Sequence, residues 1–152
     1  MKKKPKDFYI VIGDDTSKER ALTLCRIKKK DALVFHTPQL TLTSLYDSLI
    51  KTILITAYHH DIRRVTLVQD VHLEKRMDDP FFHWLQQQGI KKETIQLLNY
   101  VHQSEGITVD EWLKSGNSLL ETVLILQKHP LLPKTISFQG FLMGNNLTPL
   151  SS

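Results

Sequence analysis

The run Arg64-Val65-Thr66-Leu67-Val68-Gln69-Asp70-Val71-His72 constrains the fold of this chain more than any other stretch. Its centre is apolar and β-branched without regular polar alternation, which suits a strand covered on both faces, and such strands belong to parallel sheets flanked by helices. The run then stops abruptly in polar groups. In open α/β sheets ligands bind outside the carboxyl ends of the strands, so Gln69-Asp70-Val71-His72 is where chemistry is expected.

The segments before it fit the same scheme. Phe8-Tyr9-Ile10-Val11-Ile12 predicts a buried first strand that turns at Gly13-Asp14-Asp15. Thr16-Ser17-Lys18-Glu19 has the form of a capping box and opens a short helix carrying Ala21, Leu22 and Leu24. Ala32-Leu33-Val34-Phe35 predicts a second strand, closed by His36-Thr37-Pro38 because proline restricts the residue before it and cannot donate to a ladder. From Leu42 the apolar positions Leu45, Leu49, Ile50, Ile53, Leu54 and Ala57 recur at helical spacing, predicting a helix that runs to His59-His60-Asp61. Strands and helices alternating in this order imply right-handed crossovers and an α/β fold, a mainly parallel central β-sheet flanked by helices.

Beyond His72, Asp78-Asp79-Pro80 reads as the cap and first position of a helix carrying Phe81, Phe82, Trp84 and Leu85. Helical periodicity resumes from Glu93 to His102, and Thr108-Val109-Asp110-Glu111 is a second capping box before Trp112 and Leu113. A further helix, Leu119 to Lys128, is stopped by His129-Pro130-Leu131-Leu132-Pro133. The alternating stretch Thr135 to Met143 predicts a last strand, with a hairpin return through Gly144-Asn145-Asn146. The expected organisation is a basic tail over residues 1–7 and a single domain over 8–152.

Composition narrows the function classes. No apolar run approaches the roughly 18 residues of a membrane span, and the lysine-rich start is not followed by a signal-peptide core, so a cytoplasmic protein without a transmembrane segment is expected. Cys25 is the single cysteine, which excludes an intrachain disulfide. The net charge of +4 resides in Lys2, Lys3, Lys4 and Lys6; the other 16 basic residues match 16 acidic ones, and no basic patch is interleaved with aromatics, so no nucleic-acid partner is expected. No Gly-rich phosphate loop, Gly-x-Ser-x-Gly or Cys/His pair points to nucleophilic or phosphoryl chemistry, and no catalytic residue is assigned.

Several segments resemble the β-class carbonic anhydrases. His129-Pro130-Leu131-Leu132-Pro133-Lys134 followed by Ile136-Ser137-Phe138-Gln139-Gly140-Phe141 is similar to the family's C-terminal signature. Lys29-Lys30-Asp31-Ala32-Leu33-Val34-Phe35-His36 resembles its Gly-Asp-Ala-x-Val-Ile-Arg strand. Asp61-Ile62-Arg63-Arg64-Val65-Thr66-Leu67-Val68 resembles its approach to the metal, and Ile107-Thr108-Val109-Asp110-Glu111-Trp112-Leu113 its short acidic-aromatic helix. The resemblance runs from Phe8 to Leu150 and implies a β-carbonic-anhydrase-like fold, usually assembled as a tight homodimer.

It also implies a zinc ion held by two thiolates and one imidazole, with an open position where bound water ionises near pH 7. The matching positions carry other residues. After the first strand, Gly13 takes the cysteine position with Asp15 on the family's aspartate and Ser17 on its arginine, or, shifted by one, Asp14 takes the cysteine position. After the third strand, Asp70 stands for the histidine and Leu73 for the second cysteine. The family's Arg-Asn-Ala-Gly run has become His36-Thr37-Pro38-Gln39.

Asp14, Asp15, His36, Asp70 and His72 are therefore the candidates for a vestigial site, with no metal assigned and no cofactor expected. Asp14 or Asp15 with Asp70 and His72 are acceptable ligand types for a replacement metal, but they are more simply read as hydrogen-bonded loop residues. The resulting expectation is a zinc-free, non-catalytic binding or accessory module, acting as a homodimer or with a protein partner. The alternative is a carbonic anhydrase or related small-molecule lyase with a rebuilt active site.

Overall fold

A computed structural model describes residues 6–28, 30–39, 42, 47–74, 79–114 and 118–150. Residues 1–5 of the basic tail, Leu45 and Asp78 lie outside the described residues. Five strands form one sheet: β1 (Lys6–Ile12), β2 (Ala32–Thr37), β3 (Ile62–Asp70), β4 (Ser137–Met143) and β5 (Leu147–Pro149). Their spatial order is β2-β1-β3-β4-β5. The pairs β1–β2, β1–β3 and β3–β4 are parallel; β4 and β5 form the antiparallel hairpin expected around Gly144-Asn145-Asn146.

The apolar run of β3 is explained by its central place. Val65, Leu67 and Val68 are fully buried and Thr66 nearly so, because helices cover both faces of the sheet. On one face Phe8, Ile10, Ile12, Val65, Leu67 and Phe138 pack with Leu49, Ile50 and Ile53 of α2 (Ser48–His59) and with Leu119, Val123 and Leu126 of α6 (Leu119–Lys128). On the other, Val11, Val68 and Met143 pack with Ala21 of α1 (Asp15–Leu24). With β2 and β3 on opposite sides of β1, right-handed crossovers must place α1 and α2 on opposite faces, as they are.

Three of the boundaries that differ from the sequence expectation have a local cause in the structure. Helix α1 is capped by Asp14 rather than Thr16: Asp14 is extended and its side chain accepts from the Ser17 amide, while the Thr16 hydroxyl turns back to donate to Asp14 Oδ1 at 2.7 Å. Helix α2 begins at Ser48 rather than Leu42, because Asp47 is extended and accepts from the Leu49 amide at 3.1 Å, setting the first turn there. Strand β2 includes His36 and Thr37, since its ladder with β1 continues to the Ile12–Thr37 pair and Pro38 is the first residue that cannot donate.

The chain divides into two compact units, Met1–Leu73 with Asn117–Ser152, which carries the sheet, and Glu74–Gly116, which is helical. In the helical unit α3 (Asp79–Gln87), α4 (Lys92–Val101) and α5 (Val109–Lys114) follow in order. Thr108 caps α5, its Oγ1 accepting from the Glu111 amide at 3.1 Å and its hydroxyl donating to Glu111 Oε1 at 3.0 Å. Asn99 Oδ1 accepts from the Val109 amide at 2.8 Å and ties α4 to α5. Helix α4 buries none of its side chains, leaving Leu97, Tyr100 and Val101 exposed. Among the described residues no helix is long and apolar enough to cross a membrane.

Candidate functional site

The carboxyl ends of β1 and β3 lie side by side, with Ile12 opposite Gln69, at the point where connections leave the sheet in opposite directions. The chain leaves β1 through Gly13, whose φ of +155° and closed surroundings require glycine: a Cβ there would lie 2.4 Å from Ser17 Oγ and 3.3 Å from Asp70 Cβ. Two bonds hold this turn against the edge strand. The Gly13 amide donates to Thr37 O at 3.0 Å, and His36 Nε2 donates to Gly13 O at 2.8 Å, which places the imidazole proton on Nε2.

Beyond the turn, Asp14 caps α1. Its Oδ1 accepts from the Ser17 amide at 2.9 Å and from the Ser17 hydroxyl at 3.0 Å, besides Thr16. The Thr16 hydroxyl, followed by the Ser17 amide and hydroxyl, holds the Asp14 carboxyl down to about 2, so it is ionised at neutral pH. Asp15 is exposed in the first helical turn, where a negative charge suits the helix dipole.

Asp70 is the centre of the site. Its residue exposure is 7%, and three donors reach its carboxylate: Ser17 Oγ at 2.8 Å and Arg20 Nη1 at 3.2 Å on Oδ2, and the His72 amide at 2.9 Å on Oδ1. Ser17, fully buried, thus lies between two carboxylates with one hydroxyl proton to give. Arg20 also donates through Nη2 to Gly144 O in the β4–β5 turn. Its guanidinium borders an open cavity of about 380 Å³ lined by Glu19, Arg20, Thr23, Leu24, Gly144 and Asn145.

Asp14, Asp70 and the Gly13 turn held by His36 therefore do meet at the strand ends. His72 joins through its backbone amide, while its side chain is exposed: the chain enters a tight 3-10 turn (Val71–Glu74) directly after Asp70, which ends the strand alternation that would put both side chains on one face. Arg20 and the junction role of Ser17 escaped the sequence reading. Their signal was helical spacing, since Ser17 and Ala21 form the buried stripe of α1 and Arg20 borders it.

Zinc, which the family resemblance implies, needs convergent thiolate, imidazole or carboxylate donors. The donor set here does not fit it. Asp70 Oδ2 already carries a guanidinium, whose charge opposes a divalent cation at the same oxygen. Cys25 caps the far end of α1, half-buried against the Val11–Val68 cluster, and burial raises its thiol pKa, away from the thiolate a metal binds. Among the described residues no three His, Cys, Asp or Glu side chains converge on a point.

No protein-family model and no curated protein sequence matches this chain. Solved structures do. The chain is similar to the β-carbonic anhydrase isoform I of the protozoan Trichomonas vaginalis with a TM-score of 0.71 at 16% identity, over 98% of this chain and 85% of that one. A carbonic anhydrase from Streptococcus mutans gives 0.63 at 13% identity, over 99% and 84%. A structure described among two tetrameric β-carbonic anhydrases of the filamentous ascomycete Sordaria macrospora gives 0.53 at 13%, over 99% and 83%. At these identities the likeness speaks for architecture alone, and it establishes that this chain has a β-carbonic-anhydrase-like fold.

Proposed function

We propose that this chain is a zinc-free, non-catalytic member of the β-carbonic-anhydrase fold that serves as a binding or accessory module. The observation that supports this most is the state of Asp70: the carboxylate at the strand end accepts from Ser17, Arg20 and the His72 amide, so it is engaged in holding the site together. A carboxylate oxygen that already accepts from a guanidinium is a poor metal ligand. The rebuilt-enzyme reading would need Asp70 free to act beside the His72 imidazole, and the Asp70 carboxylate is engaged while the imidazole is exposed with only the His72 amide on Asp70.

In this reading the protein takes no metal cofactor, and its ligand surface is the cavity beside Arg20 at the strand ends. It works in the cytoplasm as a homodimer; the exposed Leu97, Tyr100, Val101 and Trp112 of the helical unit support an assembled state. Metal analysis of protein purified without chelators, together with stopped-flow carbon dioxide hydration, tests the proposal. Expected are substoichiometric metal and hydration at the uncatalysed rate; stoichiometric zinc with activity well above background overturns it. Light scattering tests the dimer, and a monomer at micromolar concentration refutes that part.

A further inference from the structure

We infer that the Arg20 guanidinium is the resident cation of this site, joining chain segments in the way a bound metal ion would. The inference rests on the metal-free reading and adds to it what takes the metal's place. Two carboxylates, Asp14 and Asp70, reach the same Ser17 hydroxyl, and that hydroxyl has one proton. Asp14 is exposed to water, whereas Asp70 is buried, and a buried carboxylate calls for a cation. Arg20 supplies it, with Nη1 on Asp70 at the end of β3 and Nη2 on Gly144 O in the β4–β5 turn, from a backbone position on α1 behind β1. One planar fork thus links segments separated by 50 and 124 residues in sequence.

The shape of the cation matters as much as its charge. A guanidinium presents parallel N–H groups that reach Asp70 and Gly144 together, whereas a lysine ammonium is a point charge. The Arg20 side chain keeps 38% of its surface exposed and forms part of the cavity wall with Glu19, Thr23 and Asn145. Shortening it would leave a guanidinium-shaped space open to solvent, with the Asp70 carboxylate and the Gly144 carbonyl at its end. The site of Arg20→Ala should then bind a free planar organic cation.

The test is the melting temperature of the full-length protein and its Arg20→Ala and Arg20→Lys variants, in low-millimolar guanidinium chloride against equal sodium chloride. Arg20→Ala is expected to melt about 3 to 6 °C below the wild type, a loss discounted for the exposure of the pair. Guanidinium should recover part of that loss in Arg20→Ala, lower the wild type slightly, and give no recovery once Asp70→Asn is added. Arg20→Lys should melt below the wild type despite its retained charge. Should Arg20→Ala not fold, Arg20→Gln is read in the same way. Guanidinium acting alike on wild type and variant, or recovery that persists with Asp70→Asn, overturns the inference. Stoichiometric zinc in the wild type would instead overturn the metal-free reading.

Discussion

Replacing Gly13 by alanine should destabilise the sheet unit by roughly 2 to 6 kcal/mol, about 1 to 3 from a backbone conformation that L residues rarely adopt and about 1 to 3 from overpacking. The second contribution is specific to this site. The added Cβ would sit 2.4 Å from Ser17 Oγ and 2.6 Å from Ser17 Cβ, and Ser17 cannot withdraw because its amide and hydroxyl are held by Asp14 and its hydroxyl by Asp70. Gly106 provides the control: its φ is +74°, but nothing lies within 4 Å of the position a Cβ would take. Gly106→Ala should therefore cost only the left-handed backbone term, about 1 to 2 kcal/mol. Both variants are to be measured by urea unfolding. Trp84 and Trp112 lie in the helical unit, so fluorescence reads that unit and the sheet must be followed by far-ultraviolet circular dichroism. A Gly13→Ala cost within about 0.5 kcal/mol of that of Gly106→Ala would refute the crowding of Gly13, Ser17 and Asp70 at the strand ends.

Three further outcomes follow from the same structure. Asp14 is held below the ordinary carboxylate range, so its contribution to stability should be complete above the unfolded value near pH 4 and disappear as the pH falls through about 2; carboxyl NMR should give that value and Thr16→Val should raise it, whereas an unchanged value in Thr16→Val refutes the hydroxyl as its main cause. Cys25, whose thiol is raised by burial, should react with iodoacetamide at neutral pH much more slowly than in the urea-unfolded chain, and equal rates would contradict its packing on the Val11–Val68 cluster. Ile53→Ala, which empties a 1% exposed position between α2 and the sheet, should cost about 2 to 5 kcal/mol in the same urea melts; a loss under about 1 kcal/mol would argue against that helix–sheet contact.

Much of this fold could be read from the sequence because its signals are local. The unbroken apolar runs of β1 and β3, the helical spacing of Leu49, Ile50 and Ile53, the prolines after His129 and the Gly144 turn each report a constraint acting over a few residues. They were enough to specify a mainly parallel α/β sheet with a hairpin at its end, and to place the candidate site after Val68. The differences were local too: Thr16 had the form of a cap that Asp14 provides in the folded chain, and the apolar spacing that began at Leu42 carried no sign of the Asp47 cap.

The nature of the site was not legible, because its partners are remote from one another. No spacing rule connects Arg20 to Asp70 or to Gly144, and Ser17 looked like one polar residue among several at a helix start. Nor does the identity of His72 say that its amide, rather than its imidazole, would meet the carboxylate. The sequence by itself determined that the first strand closes in a glycine turn and that Asp14 and Asp70 lie at the ends of the first and third strands. Tertiary structure alone decided that these groups close on a serine hydroxyl and an arginine, because a hydrogen bond depends on the position of atoms in space, and only the packing of α1 and the β4–β5 turn about the ends of β1 and β3 supplies it.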